Sequence, residues 1–191
     1  STESCYTFFP SVPLGVYRST DGGNTWTQTK TATRQANDLV MDDISKIYEM
    51  ARKARTTLFL TDNAGEIVFD TLLIEQLKDM GLSVIAAVKG SPVINDATLE
   101  DAQASGMNKV ADKVITTGTD AVGLALKDVS REFRDAYDSA DLVFAKGMGY
   151  AETLTERRLK KPHALLLRTK CNPVANYFCA PREKNVAKLM P

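Results

Sequence analysis

From about Thr57 onward the sequence alternates short, β-rich apolar runs with helical patterns, and this alternation constrains the fold more than any other feature. Strand-then-helix repetition is the signature of βαβ units and a parallel sheet. Strands are expected at residues 57–61, 82–88, 113–117, 142–145 and 164–168. The first leads into a helix carrying Ile67, Val68, Leu72, Leu73, Ile74 and Leu77, which Gly81 can end. Asp96 is read as opening another helix, and Phe133 and Tyr137 share one face of a later one. Ahead of the first strand, Asp42 can cap a helix with Ile44, Ile47, Tyr48 and Ala51 on its apolar side, running to about Ala54. The expected fold is α/β: a three-layer, Rossmann-like, mostly parallel sheet flanked by helices.

The first forty or so residues differ, being rich in Thr, Ser, Pro, Gly and aromatics and poor in helical periodicity. They predict a short irregular or β-hairpin appendage over residues 1–40, with the α/β domain over residues 41–191. A chain of 191 residues fits one such domain with an appendage. Lys plus Arg and Asp plus Glu stand at 24 each, so no net field draws the chain to nucleic acid or an anionic membrane. The apolar runs are too short to cross a bilayer, and no basic-then-apolar leader pattern is present. Three cysteines, Cys5, Cys171 and Cys179, lack CxxC spacing and leave one unpaired in any disulfide scheme, which fits a reducing cytoplasm. With His163 they make a poor zinc site.

In an open parallel sheet, ligands collect beyond the carboxyl ends of the strands. That rule selects four loops: Asp62-Asn63-Ala64-Gly65-Glu66, Lys89-Gly90-Ser91-Pro92 running to Asp96, Lys146-Gly147-Met148-Gly149, and Lys170-Cys171-Asn172-Pro173. Asp62 and Asn63 offer adjacent hard oxygen donors, Gly65 would let the chain turn between them and the helix, and Asp96 could supply a third donor. Two carboxylates and an amide oxygen favour magnesium or manganese-like ions over a thiolate-seeking metal. Asp at either position also serves commonly as a helix cap. Lys146 and Lys170 fall where ammonium groups could stabilise phosphate oxygens, with Lys89 a weaker third, and Gly147 and Gly149 could expose N–H groups to the same anion. Glu66 could favour the helix dipole or orient a water or substrate hydroxyl. His163 starts an apolar strand at the opposite end and reads as structural.

Taken together, Asp62-Asn63-Ala64-Gly65-Glu66-Ile67-Val68-Phe69-Asp70 and residues 89–98, 140–154 and 167–175 resemble the damage-control phosphatase family, long called domain of unknown function 89. The likeness is nearest to its compact archaeal and bacterial branch and covers the chain from about Asp42. It implies hydrolysis of phosphomonoesters of small metabolites, such as sugar phosphates or damaged phospho-metabolites, with manganese, cobalt, nickel or magnesium. It assigns the metal to Asp62, Asn63 and Asp96, phosphate contact to Lys146 and Gly147, and the late lysine to Lys170. In two places the chain departs from the family pattern. Tyr150 stands where the family places an Asn, and the family's helical N-terminal region with a Gly-Asn-x-x-Asp segment has no counterpart here. In its place, Ser19-Thr20-Asp21-Gly22-Gly23-Asn24-Thr25-Trp26 resembles the Asp-box hairpin of sialidase-like propellers, a structural turn motif.

The expected reaction is in-line attack on phosphorus by a water aligned by Asp62 or Asp96. An aspartyl-phosphate on Asp62 is the other route, although the Asp-x-Asp pair of haloacid-dehalogenase-type phosphatases is broken by Ala64. Rival readings are an adenosylmethionine-dependent carboxyl methyltransferase and a non-catalytic module that binds metal and phosphate. The expected partner is a small phosphorylated metabolite, and apolar surface left by the missing region could favour a homo-oligomer.

Overall fold

The structure, a computed structural model, describes residues 39–191 throughout and, of the first 38, only three strands. These are β1 (Cys5–Thr7), β2 (Gly15–Ser19) and β3 (Thr27–Thr31), an antiparallel sheet in the order β1-β2-β3. Apart from Ser19, the Asp-box-like segment lies outside the described residues. By its internal contacts the chain divides into two units, Ser1–Asp38 and Leu39–Pro191.

The second unit opens with β4 (Leu39–Asp42) and α1 (Ile44–Ala51), followed by β5 (Thr56–Leu60), α2 (Ile67–Asp79) and β6 (Ser83–Val88). Two short helices, α3 (Leu99–Ala104) and α4 (Met107–Val110), lead to β7 (Lys113–Thr116). The chain continues through α5 (Arg131–Ser139), β8 (Leu142–Lys146), α6 (Met148–Thr155), β9 (His163–Arg168), α7 (Asn172–Tyr177) and β10 (Asn185–Met190). The seven strands form one sheet in the order β4-β10-β9-β8-β5-β6-β7. Neighbours from β9 to β7 are parallel, β10 runs antiparallel to β9, and β4 lies parallel to β10 at the edge.

Alternate residues of the strands face opposite sides, as the two-residue period requires. Leu58, Leu60, Val143 and Ala145 pack with Phe133, Tyr137, Leu154 and Val174 of α5, α6 and α7. Phe59, Leu142 and Phe144 pack with Ile47, Ile74, Ala102 and Met107 of α1 to α4. Helices therefore cover both faces, giving the three-layer α/β fold expected from the alternation. Among the described residues, no helix is long and apolar enough to cross a membrane.

The two outermost strands on one side, β4 and β10, were not foreseen. The expected division after residue 40 lies two residues from the observed one after Asp38, and the strand Leu39–Asp42, held by β10, belongs to the second unit. The apolar stripes are also narrower than expected: Ile47 and Ala51 are buried, whereas Ile44 and Tyr48 are about half exposed. On α2, Ile67, Ile74 and Leu77 are buried while Val68, Phe69 and Leu72 face outward. Asp96 does not open a helix; α3 starts beyond Thr98, whose N–H and hydroxyl both donate to the Asp101 carboxylate at 2.8 Å. Asp42 does accept from the Ile44 N–H at 3.0 Å, although Asp43 is the residue before the helix.

Chain order and sheet order together locate the cleft. From β5 the chain moves outward to β6 and β7, and then returns to the other side of β5 for β8, β9 and β10. The reversal between β5 and β8 separates the loops beyond their carboxyl ends and leaves a crevice there.

Candidate active site

The loop after β5 and the loop before α3 are tied into a short ladder. The Ala97 N–H donates to the Asp62 carbonyl at 2.8 Å, the Ala64 N–H donates to the Asn95 carbonyl at 2.9 Å, and Asn63 and Asp96 form an antiparallel bridge. This ladder brings Asp62, Asn63 and Asp96 together from two separate crossovers. The Asn63 amide nitrogen donates to Asp62 Oδ2 at 3.0 Å and to Glu66 Oε1 at 2.9 Å. With both N–H bonds engaged, the amide oxygen is the group Asn63 has to offer a ligand.

Gly147, directly after β8, is what allows Asp62 its place. Its φ is +88°, and a Cβ there would stand 2.2 Å from Asp62 Cγ and Oδ2. The Gly147 N–H donates to the Leu166 carbonyl at 2.9 Å, so it belongs to the strand pairing and does not face an anion as expected. Gly149 sits in the first turn of α6, where backbone N–H groups lack carbonyl partners within the helix. Gly65 does not need to be glycine for its turn: it has no positive φ, and a Cβ there would meet nothing within 4 Å.

Lys146 is anchored by two carboxylates of α2 and its approach. Its Nζ lies 2.5 Å from Asp70 Oδ1 and 3.2 Å from Glu66 Oε2. Asp70, only 2% exposed, closes the D-N-A-G-E-I-V-F-D run but was assigned no role from sequence. Its four-residue spacing from Glu66 was the available signal, because that spacing puts both carboxylates on one helical face. Lys170 lines the same cleft, and its backbone N–H lies 3.2 Å from Met148 Sδ.

Lys89 occupies a different position from the one expected for a phosphate contact. It is buried beneath the cleft wall, donating to the carbonyls of Ala121 and Gly123 at 2.8 and 3.0 Å, with Asp96 Oδ2 3.5 Å away. Its ammonium stands 4.8 Å from the centre of the Tyr150 ring. This geometry supports Asp96 and Tyr150 from below.

The electrostatics follow from crowding acids in a half-buried space. Burial first, then the Asp96 and Glu66 carboxylates, push Asp62 up to about 6 against the pull of Lys170 and Lys146. Burial would also raise Glu66, but its bonds from Asn63 and Lys146 outweigh it and hold Glu66 below the usual range. Burial raises Asp70 despite Lys146, and burial lowers Lys89 despite Asp96. For Lys146, burial is outweighed by Asp70 and Glu66, which keep it firmly protonated. His163 is far from this chemistry at the amino end of β9. Its Nδ1–H donates to the Lys161 carbonyl at 2.8 Å, which leaves Nε2 to accept from the Tyr137 hydroxyl at 2.9 Å.

Asp62, Asn63, Glu66, Asp96, Lys146 and Lys170 all line one cleft of about 540 Å³, together with Gly147 and Tyr150. Among the described residues, no three or more His, Cys, Asp or Glu gather as a metal-holding set. A divalent ion here would therefore rest on two carboxylates and the Asn63 amide oxygen. That all-oxygen set fits a hard cation with coordination left open, and a cation would relieve the crowding that raises Asp62.

Comparison with known proteins agrees with this architecture. The model of the damage-control phosphatase ARMT1-like domain matches residues 12–186. An uncharacterized protein of Methanocaldococcus jannaschii is 46% identical over 141 residues, 73% of this chain and 43% of that protein. A damage-control phosphatase of Pyrococcus horikoshii is 43% identical over 145 residues, 75% of this chain and 50% of that protein. The crystal structure of a DUF89 family protein from Pyrococcus horikoshii superposes with a TM-score of 0.74 at 42% identity, covering 78% of this chain and 52% of that one. The chain thus spans about half the length of the curated relatives it matches. With the family model covering most of the sequence, and the fold and motif loops in agreement, the chain belongs to the damage-control phosphatase ARMT1-like family, DUF89.

Proposed function

We propose that this chain carries a metal-dependent phosphatase site for phosphomonoesters of small metabolites, such as sugar phosphates or damaged phospho-metabolites. The observation that carries the proposal is the gathering of oxygen donors and cations in one crevice: Asp62, Asn63 and Asp96 from the loops after β5 and before α3, Lys146 from the end of β8 and Lys170 from just beyond β9. Asp62, Asn63 and Asp96 would hold manganese, cobalt, nickel or magnesium. The ion, when bound, supplies Lewis-acid polarisation of the phosphoryl group.

The chain's own residues then divide the work. Lys146, held by Asp70 and Glu66, and Lys170 set positive charge against the phosphate oxygens where charge builds during transfer. Asp62 or Asp96 aligns the attacking water. Glu66 orients Asn63 and Lys146, Gly147 makes room for Asp62, and Lys89 supports Asp96 from beneath.

The experiment is phosphate release from a panel of sugar phosphates and a generic aryl phosphate with each of the four metals, comparing the wild type with Asp62→Ala. Metal-dependent turnover abolished by the substitution is the expected result. Absence of turnover in folded, metal-loaded wild type would refute catalysis and leave a module that only binds metal and phosphate.

A further inference from the structure

Tyr150 occupies the third position of α6, one turn from Lys146 and Gly147, and is among the residues that line the cleft. The residue is 2% exposed, and its hydroxyl is one of only two buried side-chain polar atoms among the described residues that have no hydrogen-bond partner. Folding that strips a hydroxyl of water without replacing its hydrogen bond is costly, so such an atom at a cleft wall calls for a partner from outside the protein. The ring is not free to turn away to find one. The Lys89 ammonium lies over its face at 4.8 Å, and Lys89 is itself fixed by the carbonyls of Ala121 and Gly123.

Burial, and then the carboxylates of Asp96 and Asp62, favour the protonated form of the phenol. The hydroxyl is therefore a neutral donor that lies within the field of both acids. Resting on the phosphatase reading above, we infer that the Tyr150 hydroxyl donates a hydrogen bond to a phosphoryl oxygen of the bound ester. It complements the two lysines with a fixed, uncharged donor. The ester's phosphoryl group replaces the water the hydroxyl lost on folding, and the anion gains a directional contact from an uncharged donor.

Tyr150→Phe removes the hydroxyl and nothing else, and because no protein group depends on that hydroxyl, the melting temperature should hold or rise. Binding of inorganic phosphate to the manganese-loaded 191-residue chain, followed by calorimetry, should weaken roughly tenfold or more, the usual loss for a hydrogen bond to a charged group. The same loss should appear in kcat/KM for an aryl phosphate. Equal phosphate affinity and equal kcat/KM in the two proteins would overturn the inference. So would a melting temperature lowered by several degrees, which would show that the hydroxyl serves the fold. The two readings fail separately: a wild type that binds phosphate without turnover overturns the enzyme reading, while weaker phosphate binding by Tyr150→Phe in that same protein still supports the hydrogen bond.

Discussion

Gly147→Ala tests the central geometric claim, that one glycine makes room for the carboxylate on which the site depends. Gly147 has φ +88° and ψ 168°, a region open essentially to glycine, and holding alanine there costs about 1–3 kcal/mol. In addition, the new Cβ would sit 2.2 Å from Asp62 Cγ, far inside contact distance, so either Asp62 or the loop after β8 must move. For a domain of this size the backbone cost alone corresponds to a fall in melting temperature of about 2–12 °C. Displacement of Asp62 should lower metal-dependent phosphate release much further than the loss of stability would. Gly65→Ala is the internal control: its Cβ enters open space, so both melting temperature and turnover should stay near wild type. Thermal denaturation and phosphate release on the three proteins decide the matter. A Gly147→Ala protein with wild-type melting temperature and turnover would refute the argument.

Two other substitutions probe the supports. Asp70→Asn removes a buried carboxylate from Lys146 and should cost about 2–3 kcal/mol, at or below the low end for a severed buried pair because Lys146 keeps Glu66; urea unfolding measures the cost, and kcat/KM should fall with it, whereas wild-type values for both would show that Lys146 needs no such anchor. Burial holds the His163 pKa below its ordinary 6.5, so the unfolded chain binds the proton more readily than the folded one. The stability this contributes is complete above that ordinary value and is lost as pH falls through the depressed folded one. His163→Asn should therefore be less stable near neutral pH yet show a flatter decline between about pH 7 and pH 5 than wild type; parallel pH profiles would contradict this reading.

Much of the candidate cleft's lining was legible because its residues sit in short runs immediately after apolar strands. Asp62, Asn63, Lys146 and Lys170 could be named from that position alone, since a parallel sheet delivers every such loop to the same edge. Asp70 was missed because a carboxylate four residues beyond Glu66 looks like ordinary helix surface until Lys146 arrives from β8 and meets it. Lys89 was placed one layer too far out for the opposite reason. A lysine after a strand reads as exposed, and only the carbonyls of Ala121 and Gly123, from a loop far along the chain, draw it inward. Gly65 and Gly147 looked alike in sequence, but only Gly147 has a positive φ and a side chain, that of Asp62, where its Cβ would stand.

What the sequence by itself determined is the α/β class, the parallel strands from β5 to β9 and the chemical character of the loops that follow them. Local periodicity and turn residues are sufficient for these, because each strand and helix is specified within its own stretch of chain. The tertiary structure decided what depends on meeting at a distance. It paired β4 with β10 from opposite ends of the domain, and the reversal of strand order between β5 and β8 opened the crevice. It also joined Asn63 to Asp96 and set Gly147 against Asp62, contacts no local pattern encodes because each partner's geometry is fixed only when the other arrives.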